Sequence, residues 1–122
     1  MPRLNRSSSI RFLVIAIGFA ICTLTRTAAA NEVLEFARCI ESSGAIFYGA
    51  HWCPYCAKQK KAFGSSADRL PYVECYRAGS RDQLEECDHI QSYPTWEFAD
   101  GTVRTGYLSF KKLAALTDCP LP

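Results

Sequence analysis

The stretch His51-Trp52-Cys53-Pro54-Tyr55-Cys56 places two thiols three positions apart. A pair at this spacing can exchange disulfides, hold half of a zinc site or cross-link the chain. Pro54 bears on the choice, because proline suits the first turn of a helix, where its missing N–H costs nothing. Cys53 then stands at a helix N-terminus, where unpaired N–H groups and the helix dipole favour a thiolate. It is the expected nucleophile. Cys56, one turn deeper, is the expected resolving partner, released when a substrate thiolate attacks the disulfide at Cys53. Zinc would need a second ligand pair. No other CxxC exists and His51 and His89 are isolated, so no metal is expected.

The flanking pattern says what must hold this pair. Val33, Phe36, Ala37 and Ile40 recur at helical spacing and predict a helix that Asn31 can cap and Gly44 can end. Ala45 to Tyr48 is a short continuous apolar run, which suits a strand buried on both faces. The helix opened by Pro54 runs to Phe63, before Gly64-Ser65-Ser66. Tyr72 to Cys75 reads as a second strand. Ser80-Arg81-Asp82-Gln83 has the form of a capping box and predicts a short helix to about His89. Thr95 to Phe98 and Thr102 to Thr105, joined through Asp100-Gly101, read as a hairpin. Ser109 can cap a last helix carrying Phe110, Leu113, Ala114 and Thr117 on one side. A strand, a crossover helix and a strand form a right-handed parallel unit, and the hairpin extends its sheet antiparallel. The fold class is α/β.

Residues 1–30 stand apart. Arg3, Arg6 and Arg11 precede an apolar run from Phe12 to Leu24, and Ala28-Ala29-Ala30 follows, which is the pattern of a secretory signal peptide cleaved before Asn31. The apolar run is shorter than the roughly 20 residues that cross a bilayer. Four of the 14 basic residues but none of the 12 acidic ones lie in this leader, so a chain of net charge +2 becomes −2 over residues 31–122. The basic stripe of a nucleic-acid binder is absent, and no nucleic acid is expected as a partner. With Cys22 removed in the leader, Cys39, Cys53, Cys56, Cys75, Cys87 and Cys119 remain. An even number in an exported chain reads as a disulfide framework in an oxidising compartment, such as a periplasm or an equivalent lumen. Six cysteines allow fifteen pairings, among which spacing does not choose.

Trp52-Cys53-x-x-Cys56 opening a helix after a buried strand, and Tyr93-Pro94-Thr95 ahead of a hairpin, resemble the thioredoxin fold over nearly all of residues 31–122. More closely, "FYGAHWCPYCAKQKKAFG", "PYVECY" and "SYPTWEFADG" are similar to the thioredoxin-like domain fused to bacterial and plant vitamin K epoxide reductase homologues. Cys-Pro-Tyr-Cys is also the glutaredoxin dipeptide arrangement, but the segment after Pro94 lacks the Gly-Gly-x-Asp-like turn that holds glutathione in that family. The resemblance implies a thioredoxin-like domain with a central mixed four-stranded sheet flanked by helices. It implies a cis bond before Pro94, and docking of substrate by Trp52, Tyr93, Pro94 and Thr95. It also implies a second disulfide, Cys75–Cys87, which closes a loop of about a dozen residues. Cys39 and Cys119 are left to tie the two ends together.

The chain departs from thioredoxins at one place. Their buried acid, six residues ahead of the first cysteine, is here Phe47. Glu74, between the apolar Val73 and Cys75 on the neighbouring strand, is the expected substitute as proton acceptor for Cys56. The expectation is therefore an exported monomeric thiol–disulfide oxidoreductase without cofactor, cycling Cys53–Cys56 between disulfide and dithiol. It would oxidise folding proteins and be reoxidised by a detached membrane partner of the vitamin K epoxide reductase type. The alternatives are a reductase or isomerase with the same site, or a disulfide-stapled binding module without turnover.

Overall fold

The computed structural model describes residues 27–122, so the leader read over residues 1–30 lies, apart from 27–30, outside the described residues. Helix α1 covers 27–42 and passes through Asn31 without a break, because Ala28 to Ala30 have high helix propensity. Asn31 is thus an interior residue and not the expected cap. Gly44, at φ +80°, turns the chain into β1 (Ile46–Gly49). There follow α2 (Pro54–Phe63), a 3-10 turn over Gly64–Arg69, β2 (Tyr72–Glu74), a second 3-10 turn over Glu85–Cys87, β3 (Thr95–Glu97), β4 (Val103–Thr105) and α3 (Phe110–Thr117). Among the described residues no helix is long and apolar enough to cross a membrane.

The four strands form one mixed sheet in the order β2-β1-β3-β4. β1 and β2 are parallel, with Phe47 beside Tyr72 and Gly49 beside Glu74; β1–β3 and β3–β4 are antiparallel. With the helices and three disulfides, Cys39–Cys119, Cys53–Cys56 and Cys75–Cys87, this is a thioredoxin-like arrangement. The hairpin turn is closed by Asp100, whose carboxylate accepts from the Thr102 N–H at 2.8 Å. That bond holds the Asp100 carboxyl below the usual carboxylate range.

The strand alternation builds two unequal layers. On one face Phe47 stacks on Trp96 with ring centroids 4.6 Å apart, and both are fully buried. Phe36 and Ile40 of α1, Phe63 of α2 and Leu113 of α3 pack into the same cluster, which also takes in Cys53 and Cys56. On the other face Tyr48 packs with Cys75, Cys87 and Ile90. The expected helix from Ser80 to His89 would have covered this second face, but only the turn Glu85–Cys87 is helical. Ser80 Oγ accepts from the N–H of Asp82, two residues on, which is a turn and not a helix cap. The Gln83 backbone pairs instead with Tyr76, and its amide nitrogen lies 2.7 Å from the Cys87 carbonyl and 2.9 Å from that of Ile90. The Cys75–Cys87 bond fixes this extended return.

One buried polar side chain joins α2 to the rest. Gln59 of α2 is fully buried; its Nε2 donates to the Leu108 carbonyl at 3.0 Å, and its Oε1 accepts from the Leu108 N–H at 2.8 Å. It satisfies both backbone groups of the residue that leads into α3. Gln59→Leu keeps the volume but leaves that N–H and C=O unpaired in the core, each costing about 1 to 3 kcal/mol. Urea unfolding of the oxidised protein should therefore show a loss of about 2 to 4 kcal/mol. An unchanged midpoint would mean that the Leu108 backbone finds other partners.

Candidate active site

Cys53 is the N-cap of α2, with extended backbone, and the N–H of Cys56 points at its Sγ from 3.2 Å. Sulfur thus occupies the position that a serine or aspartate oxygen takes at other helix starts. Pro54 occupies the first turn, as its fixed φ favours. In this state Cys53 and Cys56 are joined and nearly buried, at 4% and 2% exposed. After reduction the same N–H and the open first turn of α2 would face a Cys53 thiolate, which is what makes such a sulfur a good leaving group and nucleophile.

Three loops meet beside this pair, and aromatic rings mark the meeting. Trp52, 44% exposed, comes from the loop ahead of Cys53. Its ring meets Tyr76, which follows β2, at 5.2 Å, and Tyr93, which precedes β3, at 6.2 Å; Tyr76 and Tyr93 meet at 5.6 Å. The Arg81 guanidinium lies over Trp52 at 5.8 Å. The Tyr93–Pro94 peptide is cis. Pro94 and Thr95 are buried, and the Thr95 hydroxyl donates to the Ser92 carbonyl at 2.7 Å, so these two shape the loop. Of the four expected docking residues, Trp52 and Tyr93 present side chains. Burial pushes the Tyr93 phenol up, and the neighbouring Tyr76 adds to the effect. Gln83 Nε2 stands 2.8 Å from the Tyr93 hydroxyl, which ties the segment stapled by Cys75–Cys87 to the cis-proline loop.

Phe47, at the position where thioredoxins carry their acid, is sealed between Trp96 and Tyr72, whose ring it meets at 5.0 Å. Glu74 shares the face of Phe47, as strand alternation requires. None of its hydrogen bonds goes to Cys56. Oε1 accepts from the backbone N–H of His51 at 3.0 Å and of Tyr76 at 3.2 Å, and Oε2 from the Tyr72 hydroxyl at 2.7 Å. The Tyr72 phenol is pushed up, first by burial and then by donating to this carboxylate. Lys60 of α2 sits over the Tyr72 ring, 3.3 Å from its centroid; burial lowers its ammonium, while Glu74 and Asp68 oppose that shift. His51 Nδ1 is 3.7 Å from Glu74 Oε1, whereas His89 pairs with Glu97 at 3.3 Å beside Tyr48. Among the described residues no group of three His, Cys, Asp or Glu could hold a metal ion.

Tyr76, Arg81 and the Gln83 amide were not read from the sequence as parts of this site. Of these only Tyr76 adjoins a cysteine in the sequence, and the Ser80–Gln83 pattern pointed to a helix instead.

No protein-family model matches the chain. It is similar to the thiol-disulfide oxidoreductase LTO1 of Arabidopsis thaliana, with 37% identity over 90 residues. That match covers 69% of this chain and 24% of the plant protein, so the chain spans about a quarter of its relative's length.

Cys75 and Cys87 are both fully buried, and their disulfide joins the exit of β2 to the turn Glu85–Cys87. Replacing both by alanine should cost roughly 3 kcal/mol in guanidinium unfolding of the oxidised protein, given a separation of 12 residues. Equal stability of the double variant and the parent would show that this loop is held by its hydrogen bonds alone.

Proposed function

We propose that this protein is an exported thiol–disulfide oxidoreductase that oxidises cysteine pairs in folding proteins. The observation that carries the reading is the Cys53–Cys56 disulfide at the start of α2, with the cis Tyr93–Pro94 loop joined to it through the rings of Trp52 and Tyr93. Similarity to a plant protein named for this activity supports it. So does the number of other cysteines held in disulfides, which persist in oxidising compartments.

In each cycle a substrate thiolate attacks Cys53 Sγ, the Cys53–Cys56 bond breaks, and Cys56 leaves as a thiolate that takes up a proton. The second substrate thiolate attacks its own sulfur in the mixed disulfide and expels Cys53. Two electrons pass from the substrate to the protein, the substrate gains a disulfide, and the Cys53–Cys56 dithiol results. We assign its reoxidation to a membrane quinone reductase of the vitamin K epoxide reductase type, on the strength of the sequence resemblance, and the route of export to the leader at residues 1–30.

The test uses a reduced protein substrate and the oxidised protein. Cys53→Ser should reduce disulfide transfer to the uncatalysed rate, and Cys56→Ser, offered the same substrate in its oxidised form, should attack a substrate disulfide through Cys53 and accumulate the mixed disulfide, resolved by non-reducing electrophoresis. Transfer that survives Cys53→Ser, or a Cys56→Ser variant that captures no substrate, would favour a binding module without turnover. Net reduction of substrate disulfides under an oxidising glutathione poise would favour the reductase direction.

A further inference from the structure

We infer that Glu74 is a positioning residue for the redox loop: one carboxylate oxygen ties the backbone of His51, ahead of Trp52-Cys53, to that of Tyr76, and so sets the two aromatic walls beside the disulfide. This rests on the proposed exchange at Cys53 and assigns Glu74 a role other than the proton acceptor expected from the sequence.

The tether is built by several residues that have no other evident reason to be arranged so. His51 and Tyr76 come from different loops, after β1 and after β2, and both N–H groups converge on Glu74 Oε1 at 3.0 and 3.2 Å. Beyond them stand Trp52 and Tyr76, whose rings touch edge to face at 5.2 Å. A carboxylate accepting backbone N–H bonds makes charge-assisted links, stronger than neutral ones. The second oxygen is held by the Tyr72 hydroxyl at 2.7 Å, which fixes the rotation of the carboxylate. Tyr72 reaches it by laying its ring across Gly49, where an added Cβ would overlap the ring; only glycine leaves that path open. Lys60 over the same ring closes the assembly from α2.

The arrangement also explains what a general acid-base role does not. A proton acceptor for Cys56 would keep an oxygen free toward that sulfur, yet the hydrogen bonds of Glu74 run to the loops and to Tyr72. Its side chain is 35% exposed, while Cys56 is 2% exposed within the core.

Glutamine and alanine separate the two roles. In Glu74→Gln the amide oxygen can still accept from His51 and Tyr76, and the Tyr72 hydroxyl can accept from the new NH2 group, but the proton-accepting carboxylate is gone. Glu74→Ala removes both. Glu74→Gln should transfer disulfides to a reduced peptide within about twofold of the parent, whereas Glu74→Ala should lose about tenfold in kcat/KM, most of it in KM. Backbone hydrogen exchange reads the tether without any turnover. The His51 and Tyr76 amides should exchange about tenfold faster in Glu74→Ala and stay protected in Glu74→Gln. Tyr72→Phe, which removes only the hydroxyl that orients the carboxylate, should fall between them and gives a second reading if the alanine variant does not fold.

A glutamine variant as slow as the alanine one, with both amides still protected, would overturn the inference in favour of a proton-accepting carboxylate. Unchanged exchange of both amides in Glu74→Ala would overturn it outright. Absence of any Cys53-dependent transfer in the parent would instead defeat the proposed function, and the exchange data would still decide the tether.

Discussion

The active end of this chain depends on the contact between the Cys56 N–H and the Cys53 sulfur. It makes a sulfur the cap of α2, and it brings the unpaired N–H groups of a helix start, a leaving group and a buried partner together within one turn. Everything around it serves to aim that turn. Gln59 locks α2 to the segment before α3 through both backbone groups of Leu108, and Phe63 anchors its far end against Phe36 and Phe110. The helix is thereby held as a rigid base under a site whose other walls are loops.

Those walls are held by bonds to the sheet edge. β2 is short and lies at the edge, yet it supplies Tyr72, Glu74 and the exit to Tyr76, three of the groups that hold these loops. Parallel pairing to β1 brings Glu74 beside Gly49, within reach of the loop that carries His51 and Trp52. The Cys75–Cys87 bond follows at once and stops the exit from drifting, on a face where the turn Glu85–Cys87 stands in place of the expected longer helix. Where a larger domain would use a packed helix, this one uses a disulfide and the Gln83 amide. That is the economy expected of a small domain.

Much of this was legible in the residues. The span of α2 follows from Pro54 and Gly64, the hairpin from Asp100-Gly101, and α3 from Ser109, because each is written by local backbone chemistry. The apolar run ahead of the cysteines marked β1 for the same reason. The segment from Ser80 to His89 was misread, since a capping-box pattern describes only local preference. There a buried disulfide and an isolated bridge to Tyr76 override it. Glu74 was expected to serve Cys56, but its carboxylate is held by the Tyr72 hydroxyl and by the backbone N–H groups of His51 and Tyr76. Spacing along one strand carries no information about backbone N–H groups that the fold delivers from elsewhere.

The central claim is that the start of α2 makes Cys53 an acidic, exchange-ready thiol, and the most direct measurement is the pH dependence of Cys53 alkylation in the protein with that pair reduced. Iodoacetamide trapping followed by mass spectrometry, across a pH series, reads the thiolate directly. The account predicts half-maximal reactivity at Cys53 below a pH of about 7.5, with Cys56 unreactive there. A midpoint at or above the value of about 8.5 for a free cysteine would contradict it.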